Sequence, residues 1–147
     1  MYLLDTNVIS EARRGLKADP GVISFRAQIV QQEDFLPVQV IGELRRGVEN
    51  LKHRGDMPQA ALLESWLESV LVEYADRILS FDAECAHIWG RITSANYQNL
   101  IDKQIAAIAI LYDLTVVTRN EEHFRTVGAR VLNPFQTGDA ISRADQL

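Results

Sequence analysis

Asp5, Glu43, Asp102 and Asn120 are far apart in the chain, but each sits where a strand meets a helix. Asp5 ends the first expected strand, Glu43 lies a few residues past the second, Asp102 opens the helix before the fourth, and Asn120 follows that strand. Chemistry in open parallel sheets gathers at the carboxyl ends of the strands. If strands one, two and four are neighbours, these side chains converge on one cleft. Three carboxylates in one cleft repel one another unless they are protonated or bridged by a cation. A hard divalent ion meets that need: Mg²⁺ or Mn²⁺ takes oxygen ligands at about 2.1 Å, keeps several waters and coordinates substrate phosphates. Zinc is a poor fit, because the one cysteine and three histidines show no ligand spacing.

The elements that must carry these residues alternate along the chain. Tyr2-Leu3-Leu4 is a short apolar run ending in Asp5-Thr6-Asn7, a strand end followed by a helix cap, with the helix reaching about Arg14. Pro20 opens a second helix expected to end near Gln32. Residues 34–38 read as a second strand closed by Pro37, and Val40, Ile41, Leu44, Val48 and Leu51 form the apolar stripe of the next helix, with Glu43 off the stripe. An amphipathic helix spans residues 58–74, a third strand 77–81, and a helix capped by Asp82 carries Ala86, Trp89 and Ile92. Asp102 leads a helix through Tyr112, followed by the β-branched strand 114–118, a helical turn from Glu121 to Val127 and a last strand 129–132 stopped by Asn133-Pro134. Strands separated by helices predict an α/β fold with a parallel sheet covered on both faces.

Composition narrows the function classes. With 147 residues, 47% hydrophobic and 24% charged, the chain has the makings of one core rather than a disordered or low-complexity polymer. A net charge of −5 argues against coating nucleic acid through bulk positive charge, so any such contact must be local. No apolar run approaches the roughly 20 residues of a membrane span, and no basic leader precedes Asp5, so a cytoplasmic protein with no membrane association is expected. Cys85 reads as a small core residue, Trp66 and Trp89 as core or interface, and Arg13, Arg14 and Lys17 as a solvated basic run. His53, His87 and His123 are expected at or near the surface.

Five segments together resemble the PIN-domain ribonucleases. They are residues 3–11 (LLDTNVISE), 40–47 (VIGELRRG), Asp102 with Ile105-Ala106-Ala107-Ile108-Ala109, residues 116–120 (VVTRN) with Phe124, and Asn133-Pro134-Phe135. Within that family the likeness is to the VapC-type toxins of prokaryotic toxin–antitoxin pairs, FitB-like members included. It covers residues 1–136 as one three-layer domain, a central parallel β-sheet flanked by helices, and leaves 137–147 as a polar tail. The resemblance implies a Mg²⁺- or Mn²⁺-dependent endoribonuclease in which Asp5, Glu43 and Asp102 hold the metal and Asn120 occupies the fourth position. Many relatives carry Asp there or an acid just before the phenylalanine, where this chain has Asn120 and His123. It further implies a VapB-like antitoxin partner and a homodimer.

On this reading Thr6 and Thr118, at strand ends, hydrogen-bond the carboxylates and fix their rotamers. Arg46 and Arg119 meet RNA phosphates. Two rival functions remain at this level. A receiver-like phospho-acceptor domain also clusters acids at strand ends, and it would take up phosphoryl groups from a small donor. A non-catalytic PIN-like binding module would cut nothing.

Overall fold

A computed structural model describes residues 1–136, and the polar tail expected at 137–147 lies outside the described residues. Five parallel strands, β1 (Tyr2–Leu4), β2 (Asp34–Pro37), β3 (Ile78–Leu79), β4 (Thr115–Val117) and β5 (Arg130–Leu132), form one sheet in the order β3-β2-β1-β4-β5. The first strand is therefore central, with β2 and β4 on its two sides, as convergence of the acids requires.

Alternation along each strand sends successive side chains to opposite faces. Leu4, Leu36 and Val117 point into one core with α1 (Thr6–Ala12), α2 (Pro20–Gln28), α3 (Val38–His53) and α4 (Met57–Glu73). Leu3, Phe35 and Val116 point into the other, against α5 (Ala83–Thr93), α6 (Leu100–Tyr112) and α7 (Glu121–Arg125). The result is the expected helix–sheet–helix sandwich. Leu3, Leu4, Leu36 and Val116 are fully buried, each contributing roughly 1.5–3 kcal/mol of transfer free energy.

Aspartates start four of the helices. Asp5, Asp19, Asp56 and Asp82 each accept a hydrogen bond from a backbone N–H of the first turn they precede, satisfying a donor that the helix leaves open. Asp82 is thus the cap its sequence position predicts, and Cys85 is buried in the second core.

Several boundaries differ from the sequence reading. Helix α2 stops at Gln28 rather than near Gln32, because Ile29 turns extended at ψ 138° while its side chain still packs on the core. A 3-10 turn, Gly15–Lys17, follows α1, entered through Gly15 at φ +60°. Only Ile78 and Leu79 of the third expected strand pair with β2, and Val38 belongs to α3.

The segment after β5 folds back on the start of α2. Asp19 Oδ1 accepts from the backbone N–H groups of Gly21 and Gln136, and Phe135 is buried in the first core. A Cβ on Gly21 would lie 1.9 Å from the Pro134 carbonyl oxygen, so this approach requires glycine. Gly21→Ala is expected to destabilise the fold by about 1–3 kcal/mol in denaturant titration, since backbone must move. Gly90→Ala, in the middle of α5 with nothing within 4 Å of the added Cβ, is expected to stabilise it by roughly 0.5–1 kcal/mol.

Candidate active site

Parallel pairing of β1 with β4 sets Leu4 opposite Val117, so Asp5 and Thr118 emerge side by side at the carboxyl edge of the sheet. The Asp5 amide donates to the Val117 carbonyl at 3.0 Å, and the Thr118 hydroxyl donates to Asp5 Oδ2 at 2.8 Å. Asp5 Oδ1 accepts from the Thr6 amide at 2.8 Å as the cap of α1. Asn7 joins the arrangement from the first turn of that helix. Its Nδ2 reaches Asp5 Oδ2 at 3.4 Å and Thr118 Oγ1 at 3.3 Å, and its Oδ1 accepts from the Arg119 amide at 3.1 Å.

Asp5 is only 3% exposed, and burial pushes its carboxyl above the ordinary range. The Thr118 and Thr6 hydrogen bonds favour the ionised form, nearby Asp102 raises the pKa further, and His123 offsets part of the rise. Glu43, one and a half turns into α3, is exposed as a residue, yet its carboxyl lies partly desolvated at the rim. That desolvation raises its pKa, Asp5 and Asp102 add to the rise, and Thr6 and Arg46 pull it down. The Thr6 hydroxyl is near enough to bias Glu43 but is itself buried without a hydrogen bond of good geometry. Asp5, Glu43 and Asp102 therefore feel one another's charge, as strand adjacency predicts.

Asp102, in the first turn of α6, faces α7. Its Oδ2 lies 2.6 Å from His123 Nδ1. His123, expected at or near the surface and standing where many relatives carry an acid, has a side chain 39% exposed and holds one oxygen of a candidate site acid. Neither this contact nor that of Asn7, in the polar run that ends the first strand, is among the sequence expectations. The signals available were the Asp-x-Asn spacing and the position of His123 directly before Phe124. Asn120 enters through its backbone: its N–H donates to Thr118 Oγ1 at 3.0 Å, and its side chain makes no capping bond to α7. Arg119 is exposed with its guanidinium over the Phe135 ring, 3.9 Å from the centroid, and Arg46 is exposed on α3.

The donor set suits a hard cation. At the opposite edge of the sheet another buried acid, Asp34, is paired with Arg77 at 2.7 Å. Among the described residues Asp5 has no such ion pair; hydroxyl, amide and acidic groups surround it, and His123 offsets its charge only in part. Nor, among the described residues, do three or more His, Cys, Asp or Glu side chains stand ready-clustered for a metal ion. Mg²⁺ does not demand that, since it is usually bound through one or two carboxylates and retains several waters. Oxygen donors with uncompensated charge fit it; a closed cage is not present.

A PIN domain family model matches residues 2–129. The chain is 34% identical to Toxin FitB of Neisseria gonorrhoeae over 140 residues, covering 92% of this chain and 99% of that protein. It is 28% identical to VapC ribonuclease Y4jK of Sinorhizobium fredii, again over 92% and 99% of the two chains. Among solved structures, the crystal structure of FitAcB from Neisseria gonorrhoeae aligns with a TM-score of 0.80 at 34% identity, covering 91% of this chain and 98% of that one. No helix among the described residues is long and apolar enough to cross a membrane.

The raised carboxyls carry a stability signature. A carboxyl with a folded pKa above its unfolded value contributes stability at pH below the ordinary value of about 4, and loses it as pH rises through the folded value. Both Asp5 and Glu43 are raised, so metal-free protein should lose stability between about pH 4 and neutrality through these groups. Glu43→Gln removes one of the repelling charges. Its melting temperature should exceed that of the parent at pH 7 without metal, with the gap closing towards pH 4. A variant that melts lower than the parent at pH 7 would contradict the electrostatic account.

Proposed function

Because the chain belongs to the PIN-domain family, matched across residues 2–129, we propose that it is a Mg²⁺- or Mn²⁺-dependent endoribonuclease. In this reading it is the toxin of a toxin–antitoxin pair. One observation carries the nuclease reading: a buried Asp5 carboxylate, held in place and electrostatically coupled to Asp102 and Glu43, has among the described residues no Lys or Arg ion pair to neutralise it, and His123 offsets its charge only in part. Similarity to a protein named VapC ribonuclease supports RNA as substrate. Similarity to Toxin FitB, and to its structure as FitAcB, supports an antitoxin partner of the VapB-like kind. A homodimer remains part of the proposal.

Asp5 and Asp102 would hold the ion, each through the oxygen electrons its other contacts leave free. When bound, a divalent cation lowers the pKa of water and neutralises charge building on the phosphoryl oxygens. Glu43, at the rim, orients a water molecule and accepts its proton at the carboxylate as the water oxygen bonds to phosphorus and the opposite P–O bond breaks. Thr118 Oγ1 and the Thr6 amide fix the Asp5 rotamer, and His123 Nδ1 fixes that of Asp102. Asn120 holds Thr118 through its amide and is assigned no direct ligand role. Arg119 and Arg46 neutralise phosphates on either side of the cut.

The PIN-domain match and the likeness to a protein named VapC ribonuclease favour the nuclease reading over the phospho-acceptor alternative.

Cleavage of a fluorogenic RNA in Mg²⁺ or Mn²⁺ tests the proposal. Asp5→Asn should retain its circular dichroism spectrum and lose at least about 100-fold in rate. Thr118→Val, which leaves the carboxylate but frees its rotamer, should lose about 10–100-fold. Full activity of Asp5→Asn, or of the parent in excess chelator, would sink the metal-dependent reading.

A further inference from the structure

A cavity of about 390 Å³ opens beside the acidic centre, lined by Glu11, Arg14, Lys17, Asp19 and Arg119 among others. Its connection to the centre is structural. Arg119 follows Thr118, the residue that clamps Asp5, and its own amide is held by Asn7. Helix α1 begins at Asp5 and presents Glu11 to the cavity, a separation of about 9 Å at 1.5 Å per residue. The pocket therefore lies within reach of a neighbouring phosphate on a strand whose reacting phosphate sits at Asp5.

The charges of the lining do not cancel. Glu11 is committed to Arg14 at 3.0 Å and to the Asp19 amide at 2.8 Å. Asp19 is engaged by the Gly21 and Gln136 amides. Lys17 and Arg119 have no ion pair among the described residues, and both are exposed. The ring of Phe135 beneath the Arg119 guanidinium positions it without using its in-plane N–H donors, which remain available to an oxyanion. Phe135 is itself fixed by the close packing of residues 133–136 on Gly21. Lys17 is set on the 3-10 turn that Gly15 initiates. In a chain of net charge −5, a lining of three cations against two acids, with Lys17 and Arg119 outside any ion pair among the described residues, is a local anion site rather than a general basic surface.

We propose that this cavity binds a backbone phosphate of single-stranded RNA through Lys17 and Arg119, holding the strand beside the acidic centre. The proposal rests on the RNA-directed reading above and adds a second point of attachment to it. Such a contact fixes the register of the strand without reading its sequence.

The test is equilibrium binding of a fluorescein-labelled single-stranded RNA, followed by anisotropy across a salt series with EDTA present, so that no cutting is needed. For single strands the slope of log K against log salt changes by about 0.7 per phosphate contact, so Lys17→Gln/Arg119→Gln should be shallower by about 1.4 and bind about tenfold more weakly near 0.1 M salt. Lys52→Gln, on the α3–α4 face, should match the parent. An unchanged slope in the double variant overturns the proposal, as does the absence of salt-dependent RNA binding by the parent chain. Loss of binding to polyglutamate with the RNA slope intact also overturns it, assigning the cavity to an acidic peptide. A parent chain that binds RNA through these residues but never cuts would leave this inference standing and sink the nuclease reading. Cutting with an unchanged slope would do the reverse.

Discussion

The hydrogen bond from Thr118 to Asp5 joins two residues more than a hundred positions apart, and it exists because β1 and β4 pair in parallel with Leu4 opposite Val117. That register is specified by the two cores. Leu4 and Val117 enter one and Leu3 and Val116 the other, so a slip of one residue would send each side chain to the opposite core, packed for a different set. The same register delivers Asp5 to the sheet edge as the cap of α1 and seats Asn7 between Asp5 and Arg119. Packing of ordinary aliphatic side chains thus determines where the acid stands.

Burying an acid there has an electrostatic cost that the fold offsets only in part. The molecule contains its own contrast: Asp34 and Arg77 show how this chain neutralises a buried carboxylate when neutrality is the aim. At the other edge Asp5 is given hydrogen bonds that orient it and acidic neighbours that oppose its charge. Hydrogen bonds hold the carboxylates in position, and repulsion makes that position favourable only with a cation or a proton present. Such sites are characteristic of function rather than of stability. The basic cavity a helix length away complements this, since an anionic strand has attraction on one side and a cation-dependent centre on the other.

Much of the architecture was legible because its elements are locally consistent. The β-branched run 115–117, the α3 stripe of Val40, Leu44 and Val48, and the polar stop at Asp5 each point the same way as the tertiary structure. Helix α2 was overextended because Ile29 keeps helical spacing and core packing after the backbone has turned extended, so periodicity continues past the hydrogen bonds. The turn at Gly15–Lys17 is too short to carry a period at all. In the site, Asp5 and Thr118 were readable from their strand ends. The Asp102–His123 contact spans two helices and depends on how α6 packs on α7, which no local pattern encodes. Asn120, singled out by its motif position after β4, donates its amide to Thr118 Oγ1, a backbone contact that residue types do not announce.

The central claim is that the fold forces acidic side chains together in a way that a divalent cation relieves. Carbon-detected NMR titration of the carboxyls of Asp5 and Glu43, with and without Mg²⁺, measures this most directly. The account predicts both pKa values above the ordinary carboxylate range in metal-free protein, and a drop of both on adding saturating Mg²⁺. Ordinary values without metal, or values that Mg²⁺ leaves unmoved, would contradict it.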